Sequence, residues 1–394
     1  RRQRQMCIRD SPGPGSREVA LTIRIFGLSA VVTLLALAVA FAYRGWTGLA
    51  LCAILGVLEV SLSFDNAVIN ATILERMSEF WQRMFLTVGV IIAVFGMRLF
   101  FPLAIVWVTA GLDPADAFRL AMNPPADGSE YFADGSPSYE TILHDANPQI
   151  AAFGGMFLLL LFLNFVLSDR ENTWLTWFER PLAALGKLDQ LAVVIAAAAL
   201  LAVAQFLAAE DKRATVLVAG LLGIITYILV DGLSSLFAGQ GHDRAAGSGD
   251  GSGGATGPTA VTRATGKAGF FLFLYLEVLD ASFSFDGVIG AFAITPDPII
   301  IALGLGFIGA MFVRSITIFL VRKGTLAEYR YLEHGAHWAI GALAVILLTS
   351  VKVHIPEIIT GLIGVAFIGA ALLSSIRANR RDSRANVVRL GSQA

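Results

Sequence analysis

A chain of 394 residues, of which 56% are hydrophobic and 15% charged, with a mean hydropathy of +0.70, is too apolar for a water-soluble domain and suits a polytopic membrane protein. The formal net charge of −1 gives no basis for a nucleic-acid partner, and it hides a sorting of charge by region. The two cysteines, Cys7 in a polar tail and Cys52 in an apolar segment, have no zinc or redox spacing and are not expected to pair.

In chain order, residues 1–24 form a basic tail ahead of an apolar run at 25–43. Small residues such as Ala38 and Ala40 offer a cleavage site. A second span follows at once, however, so the run reads as a retained helix rather than a signal peptide. At about 20 apolar residues per span, helices are expected near 25–43, 47–71, 84–109, 150–167, 190–209, 214–238, 268–295, 299–321, 338–353 and 357–376. The expected fold is therefore all-α, a polytopic transmembrane helical bundle of about ten helices.

Residues 111–149 hold seven acids against the single basic residue Arg119, and their Pro and Gly content predicts an irregular, solvated loop. By the positive-inside rule this loop falls outside, while both termini, including the Arg-rich tail 377–394, fall in the cytoplasm. Residues 239–267 turn to Gly, Ser, Ala and Thr, the composition of a flexible linker. It divides a first transmembrane half at 25–238 from a second at 268–376.

Each half carries one copy of the same motif. Leu58-Glu59-Val60-Ser61-Leu62-Ser63-Phe64-Asp65 aligns without a gap to Leu279-Asp280-Ala281-Ser282-Phe283-Ser284-Phe285-Asp286, with Glu59 opposite Asp280. The two copies fall on the second and seventh expected helices, and an odd offset predicts that they cross the bilayer in opposite directions. That is an inverted-topology repeat, which usually places its substrate site at the midplane between the halves.

Ionised carboxylates at bilayer depth are costly, by roughly 2.5–3.5 kcal/mol on insertion scales, and need a partner or a wet cavity. Repeated acids in apolar helices therefore read as a cation site. Glu59, Ser63, Asn66 and Asn70 fall on one helical stripe. Asp65 lies about 120° from Glu59 and roughly 9 Å along the axis, so either the helices unwind at Ser-Phe-Asp or each Asp faces a different neighbour. The candidate ligands are Glu59, Asp65, Asn66, Glu277, Asp280 and Asp286, supported by Ser61, Ser63, Ser282 and Ser284.

All of these are oxygen donors, which suit Mn²⁺, Mg²⁺ or Ca²⁺ better than Zn²⁺ or Cu⁺. Arg98 and Arg314, one on the helix after each copy, are expected to hold the acids when the cation is absent. Asp231, Asn164 and Lys352 read as interfacial, and His334 and His337 as solvated. With neither an HExxH nor a GxGD motif, no enzyme is indicated, and no cofactor beyond a transported or bound divalent cation.

At these residues the chain resembles the TerC family of integral membrane proteins. Glu59 with Leu62-Ser63-Phe64-Asp65-Asn66 is similar to that family's first motif, Glu277, Asp280, Phe283 and Asp286 to its second, and Gly309-Ala310 with Arg314 to its Gly-Ala…Arg helix. Gly287 stands where the second motif usually has Ser. The resemblance implies export of divalent metal, chiefly Mn²⁺, with links to tellurium resistance and to metal loading of secreted enzymes. The expectation is thus an exporter in a bacterial cytoplasmic (inner) membrane, partnered by the lipid bilayer and the metal ion, exchanging metal for protons at the same carboxylates. The alternative is a non-transporting metal-binding membrane scaffold in metal or tellurite stress response.

Overall fold

The computed structural model describes residues 14–391 except 126–128, 171–172, 187, 189, 247–263, 293, 296, 324–328 and 354. Among the described residues the protein is built of helices, with no strand longer than an isolated bridge. Seven helical segments are long and apolar enough to cross a membrane: Ile25–Val60, Glu79–Trp107, Tyr139–Val166, Glu210–Leu233, Pro298–Arg322, Leu332–Ser350 and Ile359–Asp382. The protein is an all-α, polytopic membrane bundle.

Each of the ten expected segments falls on a helix. The first two run together as α1 (Pro14–Leu62), which bends at Arg44 (φ −133°) and Gly45 (φ +62°). The positive φ at Gly45 is one that L side chains rarely adopt, so the chain reverses there and returns through the second span. A one-residue break at Ser63 separates α1 from α2 (Phe64–Leu74). A rod then runs from α3 (Glu79–Met84) through two π-helical stretches, Phe85–Gly89 and Ile92–Phe100, to α4 (Phe101–Ala110).

Beyond it lie α5 (Pro114–Met122), α6 (Tyr139–Val166), α7 (Thr176–Leu185), α8 (Leu191–Ala202) and α9 (Arg213–Ala246). The motif-bearing α10 (Gly266–Phe292) precedes a second rod. That rod consists of α11 (Pro298–Ile301), the π-helical Ala302–Gly309 and α12 (Ala310–Lys323). Helices α13 (Leu332–Ser350) and α14 (Glu357–Gly391) close the bundle.

Two expectations need correction. The acidic 111–149 segment is not irregular throughout: it contains α5, and α6 already starts at Tyr139 because the Ser138 hydroxyl accepts from Thr141 N at 3.2 Å and caps the helix. The Gly/Ser-rich linker also begins later than its composition suggests, since α9 continues to Ala246; residues 247–263 of that linker lie outside the described residues.

The apolar core centres on α6, where Met156, Phe157, Leu158 and Leu160 are fully buried. Close packing there depends on small residues, as is usual between membrane helices. Gly155 packs against Leu347 and Leu348 of α13, and Gly223 of α9 against the Phe153 backbone. Ion pairs mark the two ends of the bundle. Lys212–Asp145 at 3.3 Å and Arg44–Asp297 at 3.2 Å lie at the end that holds the acidic segment. Arg170–Glu333 at 3.2 Å and Arg330–Asp382 at 2.7 Å lie at the other.

Candidate carboxylate site

Contacts between the two motif-bearing units fix how they sit. Asn66 Nδ2 on α2 donates to Asp280 Oδ1 on α10 at 2.7 Å, while Ala264 N, just before α10, donates to the Arg76 carbonyl just after α2 at 2.7 Å. Numbers that rise along one helix fall along the other, so α2 and α10 are antiparallel. The two rods repeat the relation: Arg314 Nε donates to the Leu86 carbonyl at 2.7 Å, and the rings of Phe95 and Phe307 meet at 5.5 Å. Two helical hairpins, 46–110 and 266–323, therefore pack in opposite directions. Both rods contain a π-helical stretch beside the acids, a feature that often accompanies function.

In the first copy, Glu59, Ser63, Asn66 and Asn70 are at most 7% exposed, so the expected polar stripe faces protein. Arg98 Nη2 forms a buried ion pair with Glu59 Oε1, which also accepts from Ser63 Oγ at 2.9 Å. The pair leaves no space beside it. A Cβ on Gly309 would collide with Glu59 Cγ, and one on Gly287 would lie 3.0 Å from Glu59 Oε2. Arg98 is further anchored by donating from Nη1 to the Ala93 carbonyl at 3.0 Å. On the π-helical stretch 92–100 Arg98 is buried, while Ile91, Phe95 and Phe100 on the same rod are exposed.

In the second copy, Asp280 accepts from Asn66 and, at 3.5 Å, from Ser284 Oγ. It lies within electrostatic reach of both Arg98 and Glu277. Glu277 is 5% exposed, and neither of its carboxylate oxygens has a hydrogen-bond partner among the described residues. A cavity of about 30 Å³ adjoins it, lined by Asn70, Gly89, Arg98, Asp280, Arg314 and Thr317 among others. Gly89 is needed for this closeness, since a Cβ there would sit 2.6 Å from Glu277 Oε1. A buried carboxylate without a donor has to be neutralised, by a proton or by a cation.

The expected residues therefore divide. Glu59, Ser63, Asn66, Arg98, Glu277, Asp280 and Ser284 come together. Ser282 does not join them, because its hydroxyl turns back to the Val278 carbonyl at 3.0 Å. Arg314 lines the cavity but holds a backbone carbonyl rather than an acid. Asp65 and Asp286 lie on α2 and α10, and their side chains, like that of Ser61, are outside the described ones. Among the described residues no group of three or more His, Cys, Asp or Glu could hold one metal ion. The backbone unwinds by one residue in the first copy, at Ser63, and not at all in the second.

Sequence reasoning missed a second polar region. His334 and His337 are buried rather than solvated. The His337 ring stacks on Phe165 with centroids 3.6 Å apart, and His334 lies 3.7 Å from Glu179. Glu179, also buried, accepts from Trp174 N at 2.9 Å and Trp338 Nε1 at 3.1 Å. Helical spacing alone did not reveal this, because Glu179 comes from the short amphipathic α7 that folds beneath α13.

The family model described as a protein of unknown function (DUF475) matches residues 64–382. No curated protein and no solved structure matches the chain.

Proposed function

The chain belongs to the DUF475 family, and we propose that it is a membrane transporter that exports divalent metal cations, Mn²⁺ foremost, through the carboxylate site between its two inverted hairpins. The observation that carries this reading is Glu277: a buried acid without a hydrogen-bond partner among the described residues, beside a cavity of about 30 Å³ and next to a second acid, Asp280. At roughly 10–15 Å³ per water, that cavity holds two or so waters, so an ion entering it sheds most of its shell. Mg²⁺ dehydrates reluctantly, and oxygen donors rank Mn²⁺ below later first-row ions but within reach of a carboxylate and amide set. This favours Mn²⁺ over Mg²⁺ as cargo.

The resemblance of both motifs to the TerC family points to the same cargo. Antiparallel hairpins offer the geometry that alternating access uses elsewhere. Once the metal leaves, the same carboxylates can take protons, which makes proton exchange the natural coupling. The end bearing Arg170, Arg330 and the Arg-rich part of α14 is then cytoplasmic by the positive-inside rule, and the membrane is a bacterial inner membrane. The test is Mn²⁺ flux in proteoliposomes, together with metal content of cells with and without the protein. Flux above that of empty liposomes, and metal build-up in cells lacking the protein, is the expected result. A purified, folded protein without flux would leave a metal-binding scaffold instead.

A further inference from the structure

Between the carboxylate site and the basic end of the bundle lies a larger polar cavity of about 210 Å³. Thr72 reaches it from α2 and Arg76 from just beyond it, Asn164 from α6, Tyr227 and Asp231 from α9, and Tyr275 from α10. The two cavities share helices α2 and α10: Tyr275 is two residues from Glu277, and on α2 Asn70 lines the inner cavity while Thr72 lines the outer one, each pair turned to different faces of its helix.

A polar cavity at membrane depth marks an ion or substrate pathway more often than a packing fault. Two of the polar groups, Thr72 and Tyr275, are mounted on the same helices that carry the carboxylates, and the others come from α6, α9 and the segments at the basic end. At roughly 10–15 Å³ per water, this cavity accommodates a divalent ion with its complete first shell, whereas the inner one does not. Asp231 forms no ion pair among the described residues. Asn164 donates to the Tyr227 hydroxyl at 2.9 Å beside it.

Charge borders the mouth, where Arg76, Asn164 and Asp231 are exposed. Glu333 Oε1 receives Arg170 at 3.2 Å and Arg76 at 3.7 Å, tying together the end of α2, the segment after α6 and the start of α13. Arg170 also lies over the Phe165 ring at 3.9 Å. Both Phe165 and Arg170 border a further cavity of about 380 Å³ under α7, on the opposite side of this clamp. Release of Glu333 would join the two cavities and free a second carboxylate beside Asp231.

We propose that the Asp231 cavity is the access vestibule in which a hydrated divalent cation is held before it loses its shell at Glu277, with Arg76, Glu333 and Arg170 as its closing clamp. This rests on the transport reading. The test uses the full-length protein without its native cysteines, with single substitutions Thr72→Cys and Asn164→Cys, in inside-out membrane vesicles. An impermeant thiol reagent labels both positions from that face and not from the outer face of intact cells. Mn²⁺ slows the labelling, and Asp231→Asn removes the protection. Arg76→Gln, which loosens the clamp, speeds it.

Absence of labelling at both positions, labelling from the outer face alone, or protection by Mn²⁺ that is unchanged in Asp231→Asn overturns the vestibule. Mn²⁺ flux measured on the same variants keeps the two readings apart. Flux without labelling removes the vestibule alone, and Mn²⁺-protected labelling in a protein without flux removes transport alone.

Discussion

In the first copy of the repeated motif, Glu59 is locked by Arg98 and Ser63 and walled in by two glycines. Two residues ahead of the second copy, Glu277 faces a cavity with no donor on either oxygen among the described residues, and the matching arginine, Arg314, has turned to a backbone carbonyl. Duplication supplied two acidic helices, but the bundle uses them differently. The first copy balances Glu59 with Arg98, and in the second Asp280, the counterpart of Glu59, is held by Asn66 across the helices, while Glu277 just ahead of that copy leaves a charge for something else to balance. The backbone differs too, breaking at Ser63 in the first copy and running unbroken through the second.

The contrast can be broken most forcefully at Arg98. Replacing it by Gln leaves Glu59 buried without its counter-ion, a change that costs about 3–5 kcal/mol. Thermal unfolding in detergent should show a large drop, and adding Glu59→Gln to Arg98→Gln should restore much of it. A single Arg98→Gln variant as stable as the parent would mean that the pair is not what holds the first copy.

Smaller effects sharpen the difference. Gly309→Ala forces a methyl into Glu59 and should destabilise by about 1–3 kcal/mol through overpacking. Gly89→Ala instead displaces the Glu277 carboxylate and should reduce Mn²⁺ flux more than it lowers unfolding temperature. If the two glycine variants behave alike, the copies are not specialised. Arg314→Gln should be mildest, below about 1.5 kcal/mol, since it removes one hydrogen bond to a carbonyl from a half-buried side chain. A further check is competition. Mn²⁺ should displace bound metal better than Mg²⁺ does, and tight Zn²⁺ binding that depends on Cys52 would contradict an oxygen site.

Much of the bundle was legible because apolar runs of spanning length and a gap-free repeat are one-dimensional signals. The odd helix offset between the copies predicted the antiparallel contact that Asn66 and Asp280 make. That Arg98 holds an acid is expected from its place on the helix after the first copy, but only the structure shows that the acid is Glu59. Arg314 misled because sequence position could not show that the Leu86 carbonyl lies nearer than any described acid. His334 and His337 misled because a polar connection in sequence is folded under α7, and only tertiary packing buries it. The early start of α6 was missed because Pro and Gly content marked 111–149 as irregular, yet the cap at Ser138 opens a helix that runs on through Pro148.

The central claim is that the acids in and beside the repeat carry a divalent ion across the membrane. Its most direct test is Mn²⁺ flux in proteoliposomes for wild type, Glu277→Gln, Asp65→Asn and Asp286→Asn, each matched for protein amount and unfolding temperature. The account predicts flux in the wild type and its loss in all three variants, with Glu277→Gln as stable as the parent or more so, because a buried carboxyl without a donor among the described residues, which must otherwise be neutralised, has been replaced by a neutral amide. Wild-type flux in Glu277→Gln would contradict it.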